Sequence, residues 1–153
     1  NGSGEDFLKT GVMPAQLQSS RWQRPASGRI SKRIDMMNQY LLLLHETPGD
    51  YSSLSPAQMQ EEVARYGAWA GEMAQRGLLV SGEKLTDDGG RHLRAGRAEP
   101  LASDGPYAEA KDVIGGFFMI NAESDAHAEQ LAAACPHLRG RNWIEIRRID
   151  KVQ

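Results

Sequence analysis

The chain has 153 residues, a formal net charge of −2 and a pI near 6.1. That length favours one domain, and that balance leaves no basic face of the kind that nucleic-acid binding needs; the local group Arg139, Arg141, Arg147 and Arg148 reads as a solvated strand face and loop. The single cysteine, Cys135, excludes an intramolecular disulfide and points to a reducing, cytoplasmic setting, and no apolar run approaches the roughly 18 residues that would span a membrane.

Residues 1–36 read as a leader or arm, and residues 37–151 as the folded domain. The leader opens on the linker-like Asn1-Gly2-Ser3-Gly4 and stays polar and turn-rich through Pro25-Ala26-Ser27-Gly28-Arg29, without a sustained apolar period. Three origins fit it: a vector-derived remnant, an upstream-translated extension, or a natural arm. Met36 and Met37 stand where a start codon would make sense, and no apolar signal-peptide segment precedes them.

Tyr40-Leu41-Leu42-Leu43-Leu44-His45-Glu46 is a short continuous apolar run closed by Thr47-Pro48-Gly49-Asp50. Length and turn signals make it a buried central strand, with His45 and Glu46 at its C-terminal end. Ser55-Pro56-Ala57-Gln58 opens a helix, with Ser55 as N-cap, Pro56 at N1 and Gln58 completing a capping box. Met59, Val63, Tyr66, Ala70 and Met73 make its inner stripe, Gln60, Glu61, Glu62, Arg65, Glu72, Gln75 and Arg76 its solvent side, and Gly77 its stop. Leu78 to Leu85 is a second strand. Residues 91–94 and 99–102 form a small polar hairpin suited to an edge.

Ser103-Asp104-Gly105-Pro106-Tyr107-Ala108-Glu109-Ala110-Lys111 follows as a tight polar turn. Asp accepts backbone amides, Gly supplies unusual dihedrals and Pro fixes φ. Ile114 to Asn121 is the next strand, with Phe117 and Met119 on one face and Phe118 and Ile120 on the other. Gly115-Gly116 at its start predicts a bulge or a close approach of another group. Ser124-Asp125-Ala126 opens a second helix whose stripe is Ala128, Leu131, Ala132 and Cys135, stopped by Pro136. Asn142 to Ile149 is the last strand, Ile144 and Ile146 inward, Trp143, Glu145, Arg147 and Ile149 outward.

This order predicts an α+β fold: a split β-α-β sandwich with an antiparallel sheet and two helices on one face. The other face would expose an apolar patch unless covered. The simplest cover is the same face of a second copy, giving a homodimer.

The run Asp104-Gly105-Pro106-Tyr107-Ala108-Glu109-Ala110-Lys111-Asp112 resembles the Asp-Gly-Pro-Phe-Ala-Glu-Thr-Lys-Glu motif of the DGPF branch of the YCII-related proteins. Tyr replaces Phe, Ala replaces Thr and Asp replaces Glu. Tyr40 to Glu46, Leu79 to Leu85, Gly115 to Ile120 and the final strand extend the resemblance over about residues 37–150. It implies a bacterial protein with a ferredoxin-like domain paired into a dimeric α+β barrel, with a cleft between helices and sheet near the turn. Some members of the wider family carry a His on the first helix and an Asp just before a Pro after the second. Here Arg65 or Tyr66 and Cys135 stand at those places, so that mechanism does not carry over. Members of the branch are linked to alternative sigma factors, which implies a regulatory alternative.

On the residues alone, the four histidines and Cys135 lack metal-ligand spacing, no Gly-rich phosphate loop is present, and no nucleophile elbow supports a Ser-His-Asp site. No cofactor is expected. The sharpest chemical reading is an acid–base site: His45 as the proton carrier, oriented by Asp104 or Glu109, with Tyr66 or Tyr107 donating to an oxygen. Lys111 and Phe117 complete the expected ligand-binding set. Such a site suits isomerisation of, or elimination from, a small organic acid. Two bland readings stand beside it. In the first, Asp104 caps its own turn, Glu109 pairs with Lys111, and His45 is solvated. In the second, the cleft belongs to a non-catalytic module that binds a ligand or a regulatory protein.

Overall fold

The structure is a computed structural model and describes residues 28–86, 90–97, 99–104 and 112–150. Its elements are α1 (Gly28–Asp35), β1 (Asn38–Glu46), α2 (Pro56–Gln75), β2 (Leu79–Lys84), β3 (Arg91–Arg94), β4 (Leu101–Asp104), β5 (Val113–Ala122), α3 (Asp125–Ala133) and β6 (Trp143–Arg148). Four strands form one antiparallel sheet in the order β2-β5-β1-β6, and β3 and β4 form a separate two-stranded sheet. With α2 and α3 as the crossovers, this is an α+β domain consistent with the ferredoxin-like arrangement.

Local sequence sets the element boundaries. Ser55 accepts the Gln58 amide while the Gln58 side chain accepts the Ser55 amide, so the capping box forms in full ahead of Pro56. Gly77 ends α2 in the left-handed region, at φ 70°, where a side chain would be strained. The chain is then tied to the sheet: the Asn121 amide donates to Leu78 O at 2.8 Å and its side chain to Gly77 O at 3.3 Å. Ser124 caps α3 by accepting the His127 amide.

The sheet has two unlike faces. Along β1, burial alternates strictly: Tyr40, Leu42, Leu44 and Glu46 are buried, and Gln39, Leu41, Leu43 and His45 are half-buried. Tyr40, Leu42, Phe118 and Ile120 meet α2 and α3 in one core with Trp69, Ala70, Met73, Leu131 and Cys135. Trp69 meets Phe118 edge-on at 4.9 Å. Gly82 makes room for that ring, since a Cβ there would lie 2.2 Å from Phe118 Cδ1. The Tyr40 hydroxyl reaches Asp125 at 2.6 Å, so the buried phenol is satisfied.

Four details differ from the sequence reading or add to it. Gly28–Asp35 is helical within the stretch read as a leader. Ser103 and Asp104 belong to β4 rather than to the turn, because they pair with His92 and Arg91. Glu62, read as solvent-facing, is only 6 % exposed; Arg139 and Arg65 ion-pair with it, which makes its burial tolerable. Trp69, left out of the predicted stripe, is part of the core.

Candidate acid–base site

At the C-terminal end of β1, polar groups gather on the helix-covered side of the sheet. His137, on the loop after α3, is 1 % exposed. Its Nε2 lies 2.8 Å from the His45 carbonyl and its Nδ1 2.8 Å from the Tyr66 hydroxyl. A carbonyl only accepts, so Nε2 carries the proton and Nδ1 is the acceptor. Tyr66 therefore donates to Nδ1, which leaves its oxygen open to a donor. The Tyr51 hydroxyl, 3.4 Å away, is placed to supply one. The direction of this chain follows from hydrogen-bond chemistry: Tyr51 to Tyr66 to His137 to the His45 carbonyl.

Burial acts on each member. It lowers the His137 pKa, so the ring is held as the neutral base. It raises the pKa of both phenols, and the neighbouring Glu46 carboxylate adds to that rise, so both remain donors.

Charged groups surround the relay. The Arg139 guanidinium lies over the Tyr51 ring at 5.2 Å and is ion-paired with Glu62. Glu46 is buried on the same side of β1, with Lys84 Nζ 3.3 Å from its Oε1. The bulge in β5 makes this possible. His45 pairs with Ile114 and Leu44 with Gly116, leaving Gly115 as the extra residue. A Cβ on Gly115 would fall 2.1 Å from the Glu46 carboxylate. Gly115 therefore supplies the space in which a carboxylate is seated, while Gly116 lets the Glu83 carbonyl of β2 come close. Val113 is the register partner of Glu46.

The chemistry is that of a proton relay beside two cations. Tyr66 can take a proton at its oxygen while passing its own to His137 Nδ1; Arg139 and Lys84 are the cations beside it, paired with Glu62 and Glu46. Among the described residues, no group of three or more His, Cys, Asp or Glu is placed to hold a metal ion.

A family model for the YCII-related domain matches residues 38–152. The chain belongs to the YCII-related family. A comparison with curated proteins finds no match. Cys135 is buried and its thiol is pushed up to about 12, chiefly by desolvation, so it is held protonated. Two residues further on, across Pro136, stands His137, whose Nδ1 accepts from Tyr66.

Of the residues singled out from sequence, Tyr66 lies in this cluster. The His45 ring lies on the opposite face, stacked on Trp143 at 3.7 Å, with Nε2 3.3 Å from Glu145 Oε2. Only its backbone carbonyl joins the relay. Phe117 is also on that opposite face, half-buried and in register with Leu43 and Glu83. Asp104 closes β4. Tyr107, Glu109 and Lys111 lie outside the described residues. Sequence reasoning missed His137, Glu46, Lys84, Glu62 and Arg139 as members of the cluster. The one signal for any of them was Gly115-Gly116, which announced a close approach without saying to what.

Proposed function

We propose that this protein is a homodimer of the DGPF branch that binds a small organic acid near the Asp104–Lys111 turn and moves a proton on it through Tyr66 and His137. The observation that carries the reading is the Tyr66–His137 bond with its tautomer fixed by the His45 carbonyl. A substrate proton passes to the Tyr66 oxygen as the Tyr66 proton passes to Nδ1. Return of a proton to a different atom gives isomerisation, and departure of a leaving group gives elimination. Arg139 and Lys84, which pair with Glu62 and Glu46 in the free protein, meet the acid's carboxylate, and Asp104, Tyr107, Glu109 and Lys111 complete the ligand-binding set. The second copy covers the face that bears Leu41, Leu43, Phe117 and Met119, forming a dimeric α+β barrel in the cytoplasm.

The test is incubation of the protein with a panel of small oxo and hydroxy acids in D2O, read by proton NMR for deuterium incorporation or conversion. Turnover that is lost in both Tyr66→Phe and His137→Gln, with folding retained, is the expected result. Binding without exchange, equal in wild type and both variants, would overturn the acid–base reading. It would favour the ligand- or protein-binding module, with its sigma-factor-associated role, that the family resemblance also implies.

A further inference from the structure

A concavity lies at the end of β1 near Asn38, away from Glu46 and the relay. A nine-residue strand at about 3.3 Å per residue puts roughly 25 Å between the two ends. The cleft has a volume of about 580 Å³ and is walled by α1, the end of α2 and the first turn of α3. That volume falls within the range of small-molecule sites, roughly 300–1,000 Å³.

Its lining is amphipathic. Met37 and Leu78 are buried core residues that also reach the cleft, and with Ala126 they give it an apolar floor. Arg33, Arg76 and His127 bring cationic or hydrogen-bonding groups to its rim. Glu123 is the one carboxylate in the lining, and Arg33 Nε donates to it at 2.9 Å. Arg33 also holds its carboxyl below the ordinary glutamate range. Of the nearby acids, Glu72 is itself a partner of Arg76, accepting from its Nη1 at 3.1 Å on the exposed side of α2, and Asp125 accepts from Tyr40. His127 Nδ1 accepts the Glu123 amide at 3.2 Å, so its other nitrogen is the one that carries a proton.

We infer that this cleft is a second ligand site, separate from the Tyr66–His137 relay, for a small organic anion with an apolar tail. The tail lies on Met37, Leu78 and Ala126, and the anionic head meets the Arg76 guanidinium and His127. The Arg33–Glu123 ion pair ties α1 to the start of α3 and so fixes one wall. The site does not depend on the acid–base reading, and nothing in it touches the relay.

Octanoate is the probe, with 1-octanol as its neutral counterpart, followed by calorimetry and by amide shifts of the full chain. Octanoate should bind saturably, with shifts grouped at Met37, Arg76, Leu78 and residues 123–127. Ala126→Trp, at an exposed position that fills the cleft, should weaken binding by about tenfold or more, and Arg76→Glu by about fivefold, with 1-octanol also weaker than octanoate. Four outcomes would each overturn the inference: no saturation; equal affinity for the alcohol, which would leave an apolar cleft without anion selectivity; unchanged affinity in both variants; or shifts centred on Leu43 and Phe117.

Discussion

The two faces of β1 share one run of leucines and yet have different surroundings. Leu42 is fully buried beneath the helices, whereas Leu41 and Leu43 are half-buried on the face that none of the described helices covers. The covered face also admits polar groups, but only when each finds a partner: Tyr40 has Asp125, and His137 has Tyr66 and a backbone carbonyl. On the open face, the polar residues form a rim instead. His45, Glu145 and Arg147 are linked there beside the apolar centre. The contrast teaches that one apolar run can serve two surfaces: Leu42 and Leu44 sit in the core beneath the helices, and Leu41 and Leu43 are only half-buried on the other face.

The sharpest way to break this comparison is to cut matched side chains from the two faces. Phe118→Ala should cost about 3–5 kcal/mol and Leu42→Ala about 2–5 kcal/mol in chemical denaturation. Leu43→Ala should cost less than half as much in dilute protein. Equal losses at positions 42 and 43 in a monomer would show that the faces do not differ. Phe117→Glu should leave the fold intact while converting the dimer to monomer in light scattering; a dimer that survives it does not use this face.

Gly115→Ala comes next. Its Cβ would collide with the Glu46 carboxylate, and overpacking of this kind costs about 1–3 kcal/mol. In a Glu46→Ala background the same substitution should be nearly neutral, and an undiminished loss there would mean that the glycine serves the backbone rather than the carboxylate.

The smallest effect is a dependence on pH. In the unfolded chain the imidazole takes up a proton near pH 6.5, while burial holds folded His137 neutral to lower pH. The unfolded state then binds more protons, so stability is full above about pH 6.5 and declines as pH falls below it. The raised Tyr66 pKa acts at the other extreme: the unfolded phenol ionises first, so stability declines as pH rises past about 10. His137→Gln should flatten the acid limb of a melting-temperature profile and leave the alkaline limb in place.

Much of the fold was legible because its signals are local. The Ser55–Gln58 box, the Gly77 stop, the Ser124 cap and the Gly115 bulge each rest on neighbours within a few residues, and each stands where the sequence reading expected it. The cluster was not legible, because its bonds close over long separations: Tyr66 to His137 spans 71 residues and Lys84 to Glu46 spans 38. Glu62 shows why composition misleads here. A glutamate between polar helix residues reads as solvated, and only Arg139, on the far side of the chain, turns it inward. His45 was read correctly as a strand-end residue, but the choice of face belongs to alternation: it points away from Tyr66 because Leu44 and Glu46 point toward the helices.

The bulge in β5 has one more consequence. A strand counts in twos, and an extra residue changes the parity of everything on one side of it. From Gly116 onward, odd and even positions keep their assigned faces; before Gly115, the assignment is exchanged. Flattening the bulge with every residue kept would therefore act like a frameshift written in three dimensions, whereas removing Gly115 itself would leave Ile114 opposite His45 and Val113 opposite Glu46. On flattening, the strand downstream would stay in phase with the core, while residues 112–114 would turn over and carry the incoming segment to the opposite side of the sheet.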